Sequence, residues 1–185
     1  MDALRNDQHY TYADYCTWDD DERWELINGV PYLMAPGSTR SHQSISGKIF
    51  LQIGIFLQGK PCKVYAAPFD VRLNADDGDD IVVQPDILVV CDQSKLNNAN
   101  CAGAPDMIVE ILSPSTAGKD RHLKFNAYQK YGVREYWIVD PDSRTVSVHI
   151  LKNGEYTTYA YAEPETVPVR VLDGCTVTLS DVFAE

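Results

Sequence analysis

Val83-Gln84-Pro85-Asp86-Ile87-Leu88-Val89-Val90 and, further on, Met107-Ile108-Val109-Glu110-Ile111-Leu112-Ser113-Pro114-Ser115 are the runs on which the fold turns. Each is a short apolar segment bounded by turn-forming residues, the pattern of a strand covered on both faces of a sheet. Each also carries one carboxylate, Asp86 at the start of the first and Glu110 late in the second. A buried carboxylate is costly unless it is paired, hydrogen-bonded or bound to a metal. If the two strands pair antiparallel, the start of one meets the end of the other, and the acids share one end of the sheet. Asp106 also follows a proline, but it opens its strand and falls at the opposite end. The geometry therefore selects Asp86.

Downstream, a helical run opens at Ser115 or Thr116 and continues through Tyr131, with Gly132 as its C-terminal stop. Asp120, Lys124 and Tyr128 recur every four residues and share a face of that helix. Taken alone, Asp120 and Lys124 read as a solvated pair of little energetic weight. Beside two interior acids, the same lysine is a candidate catalytic cation. Glu135-Tyr136-Trp137-Ile138-Val139-Asp140 then reads as a strand, followed by hairpins around Asn153-Gly154 and Asp173-Gly174.

Upstream, Thr11-Tyr12-Ala13-Asp14 forms a capping box for a short helix reaching about Trp18. The acidic runs Asp19–Glu22 and Asn74–Asp80 lack calcium-ligand spacing and read as solvated turns. Arg23–Ile27 and Val30–Met34 flank Asn28-Gly29, a tight hairpin signal, and place Glu25 within a strand. Ser41 caps a helix whose buried stripe is His42, Ile45, Ile49, Ile53 and Phe56. His42, at the start of that stripe, reads first as a packed, hydrogen-bonded side chain. Val64–Ala67 and Phe69–Leu73 read as one strand bent at Pro68. The connection from Asp92 to Pro105 is polar and without periodicity.

The 185 residues suffice for one domain with its own core, and 44% hydrophobic with 23% charged residues is ordinary for a globular chain. The formal net charge of -11 is not ordinary. It counts against a broad basic face for a nucleic-acid backbone, so any such contact relies on a local basic strip, a metal ion or a partner. Cys16, Cys62, Cys91, Cys101 and Cys175 are odd in number and form no close Cys-x-x-Cys pair. That predicts neither a disulfide framework nor a zinc site, hence a reduced, cytoplasmic protein. The first residues show no apolar signal region, and no run approaches the ~20 apolar residues of a membrane span.

Gln84-Pro85-Asp86 followed 24 residues after Asp86 by Glu110-Ile111-Leu112 resembles the PD-(D/E)XK nuclease superfamily, with its final lysine displaced. Further motifs make the likeness more specific: Arg23–Gly29, His42, Phe69–Leu73, Val109–Thr116, Lys119-Asp120-Arg121, Lys124, Tyr128 and Gly132–Pro141. In this order, from about Tyr10 to Phe183, they resemble the Uma-two family of restriction-endonuclease-like proteins. The resemblance implies an α/β fold: a mixed sheet core flanked by helices, with β-hairpin additions at both ends. It also implies Mg²⁺- or Mn²⁺-dependent hydrolysis of DNA phosphodiester bonds. By position, Asp86 and Glu110 would hold the metal with the carbonyl of Ile111, Lys124 would be the catalytic cation, and Glu25 an additional acid. His42, Gln84, Asp120 and Tyr128 would orient these groups. Leu112 stands where the superfamily places its lysine, so the expected chemistry depends on Lys124 reaching the acids. Two other readings are open at this point: a module of the same fold that binds or assembles without catalysis, and a metal-dependent hydrolase of a small phosphorylated molecule. A homodimer built through the C-terminal hairpins is a further expectation, by analogy with nucleases that cut both strands.

Overall fold

The two apolar runs do pair antiparallel. In the computed structural model, which describes residues 8–19, 21–34, 39–75, 77–113 and 120–184 (120 and 121 by backbone only), strand β6 (Ile87–Val90) lies against β8 (Met107–Ile111) with Ile87 opposite Val109. Continuing that register by one residue sets Asp86 opposite Glu110. They belong to a six-stranded sheet completed by β3 (Lys63–Ala66), β9 (Glu135–Asp140), β10 (Thr145–Lys152) and β11 (Glu155–Ala162), in the order β11-β10-β9-β8-β6-β3. The pair β8–β9 is parallel and the others antiparallel, so the sheet is mixed.

One face of this sheet is covered by helix α2 (Arg40–Phe56), which buries Ile45, Ile49 and Ile53 against Ile87, Val89, Met107 and Val109. The last elements, β12 (Thr166–Pro168), β13 (Thr176–Thr178) and the short α4 (Leu179–Val182), close the same cluster. The other face meets a five-stranded sheet: β1 (Trp24–Ile27), β2 (Val30–Leu33), β4 (Asp70–Arg72), β5 (Val82–Val83) and β7 (Asn100–Ala102). Between them, Leu88, Ile108 and Tyr136 of the large sheet pack with Ile27, Val71 and Val83 of the small one and with Tyr128 of helix α3 (Phe125–Tyr131). The residues of β6 and β8 are buried throughout because each strand is covered on both sides.

Several local signals act as expected. Thr11 and Asp14 form the capping box of α1 (Tyr12–Tyr15). Asn28 and Gly29 both take positive φ, 51° and 73°, as a tight two-residue hairpin turn requires. Gly132 ends α3 in the left-handed conformation at φ 88°. Others differ. The cap of α2 is Thr39, whose side chain accepts from the His42 backbone N–H, so the helix starts slightly before Ser41. The expected single strand bent at Pro68 is two strands in two sheets, because the chain changes sheet there. It changes back at Gln84-Pro85-Asp86. At both places a proline removes a ladder donor and lets the strand leave its sheet. The polar connection after Asp92 contains a 3₁₀ turn, Gln93–Lys95, and β7, which joins β4 in parallel. Cys62 and Cys91, across β3 and β6, are joined by a disulfide. This corrects the expectation of a fully reduced chain: the five cysteines form no framework, but strand pairing brings these two together. Among the described residues no helix is long and apolar enough to cross a membrane.

Candidate active site

Glu110 enters the interior because its strand is apolar on either side of it, and pleating directs residues 108 and 110 to the face shared with Tyr128. It is only 4% exposed. Its charge is met from the helix overhead: Lys124 Nζ and Tyr128 O–H both donate to Glu110 Oε1, each at 2.8 Å. Lys124 ends a π-helical turn, Asp120–Lys124, that runs into α3, and Tyr128 follows one α-helical turn later. The i, i+4 spacing thus brings both groups onto one carboxylate oxygen. The lysine is 3% exposed, which excludes the solvated surface pair for this residue.

The same amine lies 2.8 Å from Glu25 Oε1. Glu25 is fully buried in β1, and its Oε1 also accepts the Gln84 backbone N–H at 3.0 Å. Two carboxylates and one ammonium therefore meet in the interior, where attraction must offset the desolvation of all three groups. Burial, followed by the negative charge of Glu110, holds the Tyr128 hydroxyl well above its ordinary range. It stays protonated and donates.

Asp86 sits at the sheet-to-sheet crossing. Its Oδ2 accepts the Ile111 backbone N–H at 2.8 Å and lies 3.2 Å from His42 Nε2, while its side chain keeps 19% exposure. His42 is thus more than core packing: the first turn of α2 carries it onto the acid. Asp106 is at the far end of the pair, as expected, holding the Cys91 backbone N–H and Arg134. Leu112 is buried in the apolar cluster and takes no part in the polar site.

Behind these groups lies a polar layer built on Gln84, whose orienting role is an expectation of the sequence, with Arg23, Asp70 and Tyr15, to which the sequence reading gives no role. The Gln84 side chain accepts from Arg23 Nη2 at 2.6 Å and donates to Asp70 Oδ1 at 2.9 Å and to the Tyr15 hydroxyl at 3.2 Å. Burial raises the carboxyl of Asp70 above its ordinary value, opposed by the Gln84 and Tyr15 hydrogen bonds and the Arg23 charge. Tyr15 is also raised, by burial and then by Asp70. Asp70 opens β4 and Arg23 immediately precedes β1, so the packing of these segments, far apart in sequence, brings them to Gln84 just beyond β5. Glu25, His42, Gln84, Asp86, Glu110, Lys124 and Tyr128 thus converge on one region. The side chain of Asp120, and residues 114–119, lie outside the described residues.

The donor set suits a hard divalent cation in kind. Asp86 and Glu110 are oxygen donors opposite one another. An extended residue directs its N–H and C=O toward the same edge, so the carbonyl of Ile111 is directed to the Asp86 side. Among the described residues no group of three or more His, Cys, Asp or Glu side chains is gathered as a metal cage.

Comparison with known proteins agrees with this architecture. A crystal structure described as a "putative nuclease belonging to DUF820", from Anabaena variabilis ATCC 29413, superposes with a TM-score of 0.76 over 95% of this chain and 98% of that one, at 21% identity. At that identity the likeness shows the fold. Two uncharacterised proteins of Synechocystis sp. are similar in sequence: one is 26% identical over 74% of this chain and 71% of its own length. The other is 25% identical over 64% and 67% respectively. Residues 11–180 match the Uma2 family, described as "Putative restriction endonuclease", and the chain belongs to that family.

Proposed function

We propose that this protein is a metal-dependent nuclease that hydrolyses phosphodiester bonds in DNA. One observation carries the reading: Lys124, a helix residue 14 positions beyond Glu110, is buried with its amine 2.8 Å from both Glu110 and Glu25, beside the paired acid Asp86. This supplies from the helix the cation that Leu112 cannot supply from the strand.

Asp86 and Glu110 would hold Mg²⁺ or Mn²⁺, with the Ile111 carbonyl as the backbone ligand. The ion would lower the pKa of a water and offset charge on the phosphate. The chain's own groups do the rest. Lys124 places a fixed positive charge where negative charge grows on the phosphate oxygens, a stabilisation that needs no reorganisation in a buried site. Glu25 and the Tyr128 hydroxyl fix the amine and the Glu110 carboxylate respectively. His42 and the Ile111 N–H orient Asp86, and the Arg23–Gln84–Asp70–Tyr15 network fixes the crossing on which Asp86 sits.

The test is cleavage of duplex, single-stranded and branched DNA with Mg²⁺ or Mn²⁺. Asp86→Ala, Glu110→Ala and Lys124→Ala are each expected to lower the rate at least about 100-fold, the scale of one electrostatic group at a reacting centre. Absence of cleavage with either ion on every substrate, by protein shown to be folded, would overturn the nuclease reading. The net charge of -11 favours a second reading, a binding or assembly module without hydrolysis. It predicts no divalent-ion affinity that depends on Asp86. Cleavage of nucleotides but not polynucleotides would point instead to a small phosphorylated substrate.

A further inference from the structure

The face of the large sheet that carries Glu110 continues sideways into a polar cleft that the metal-and-lysine chemistry does not use. Strand pairing sets Glu110 beside Ile138, and Ile138 beside Ser147. Directly paired residues project to the same face, so Asp86, Glu110, Ile138 and Ser147 form one row across four strands. The neighbouring pairs Asp140–Thr145 and Tyr136–His149 lie on that face too. At the usual strand spacing, Ser147 is ~10 Å from Glu110. A cleft of about 320 Å³ opens here, lined by Phe125, Ile138, Asp140, Thr145, Ser147 and His149. Consecutive helix residues serve the two places: Lys124 reaches Glu110 and Phe125 walls the cleft.

The chemistry of the lining is specific. His149 is 6% exposed, and its Nδ1 lies 2.8 Å from Thr158 Oγ1 on the neighbouring strand. Its Nε2 is buried and has no hydrogen-bond partner among the described residues. Native interiors rarely leave such an atom unmatched without a reason. The ring stands edge-on to Phe125, with centroids 5.0 Å apart, and near Tyr136 and Tyr156. Burial lowers the His149 pKa to about 4, so at neutral pH the imidazole is an uncharged hydrogen-bonding group. The described lining is apolar, aromatic and hydroxyl-bearing, and its Asp140 carboxylate accepts the Asp142 and Ser143 backbone N–H groups. It suits a flat, neutral heterocycle with donors and acceptors on its edge, and its volume is at the small end of ~300–1,000 Å³ ligand sites.

We infer that this cleft receives one unpaired nucleobase of the strand whose phosphate lies at Glu110, with the Ser147 and Thr145 hydroxyls meeting the base edge and the His149 ring forming part of the wall. This deepens the nuclease reading and rests on it for the identity of the strand. A base can enter only when unpaired or turned out of its stack, so single-stranded, frayed or mismatched DNA is the favoured substrate over intact duplex.

The experiment uses neutral deoxynucleosides, which carry no phosphate and therefore need no metal. The imidazole ¹⁵N signals of His149 are followed by NMR as each nucleoside, or deoxyribose alone, is added to the full chain. The expected result is a saturable shift of Nε2 in the millimolar range for at least one nucleoside, and none for deoxyribose. Ser147→Trp, which fills the cleft without touching the acids, should weaken this about tenfold or more. Saturation transfer to the nucleoside, measured on Ser147→Trp, gives a second readout and should fall likewise. No shift with any nucleoside, an equal shift with deoxyribose, or an unchanged shift in Ser147→Trp would each overturn the base site. Cleavage by the unaltered protein is assayed in parallel. Cutting without base binding defeats only the base site, and base binding without cutting defeats only the nuclease.

Discussion

At the residue scale, Lys124 stands at the centre of the polar interior. Replacing it by Met leaves Glu25 and Glu110 buried without their shared cation, a change expected to cost ~3–5 kcal/mol in chelator. If Asp86 and Glu110 hold a divalent ion, Mg²⁺ or Mn²⁺ should restore part of that loss. Thermal melts should then show a larger metal-induced rise in Tm for Lys124→Met than for the unaltered chain. Equal shifts would mean that the ion does not share the lysine's acids. His149 gives a pH prediction. Its pKa falls from an ordinary 6.5 to about 4 on burial, so the unfolded chain takes up a proton between those values and the folded chain does not. Stability is therefore lost as pH falls from 6.5 toward 4, by up to about 3 kcal/mol. Glu135, raised by burial, acts with the opposite sign, losing its contribution as pH rises through its elevated pKa. Urea unfolding of His149→Gln against the unaltered protein isolates the histidine: the variant's stability should depend less on pH in that window.

At the scale of elements, β3 is the edge strand of the large sheet and only four residues long. It is held laterally to β6 by pairing and by the Cys62–Cys91 disulfide, which spans 29 residues of sequence. That bridged segment includes β3, β4, β5 and both sheet crossings, so it also fixes the approach to Asp86. Chain-entropy arguments put the contribution of a loop of this size at roughly 3–4 kcal/mol. Cys62→Ser with Cys91→Ser should lower the urea midpoint accordingly, and a reductant should do the same to the unaltered chain but leave the double variant unmoved. The hairpin at Asn28-Gly29 and the stop at Gly132 were legible as elements because their dihedrals demand particular residues. The break at Pro68 was only half legible. Proline announces that a strand is interrupted, but not that the two halves join different sheets.

At the scale of the whole molecule, a chain of net charge -11 with clustered acids at its proposed centre should repel DNA until a cation occupies that centre. DNA binding, measured by fluorescence anisotropy, is expected to require Mg²⁺ or Mn²⁺ and to fall steeply as salt is raised. Equal binding in chelator and in Mg²⁺ would contradict the proposed position of the metal. The sequence by itself determined the mixed α/β class, the apolar runs that carry Asp86 and Glu110, and the helix that carries Lys124 and Tyr128, while the antiparallel pairing of those runs was a condition that the structure met. Those follow from short-range periodicity, from turn residues, and from the cost of placing an acid in an apolar run. Only the tertiary structure decided that Glu25 closes on Lys124 and that Arg23, Tyr15 and Asp70 meet at Gln84. The same holds for the bonding of Cys62 to Cys91 and for the buried His149 at a cleft beside the acids. Each joins elements distant in sequence across sheets or strands, and no local pattern encodes which of many compatible polar side chains will face one another once two sheets pack.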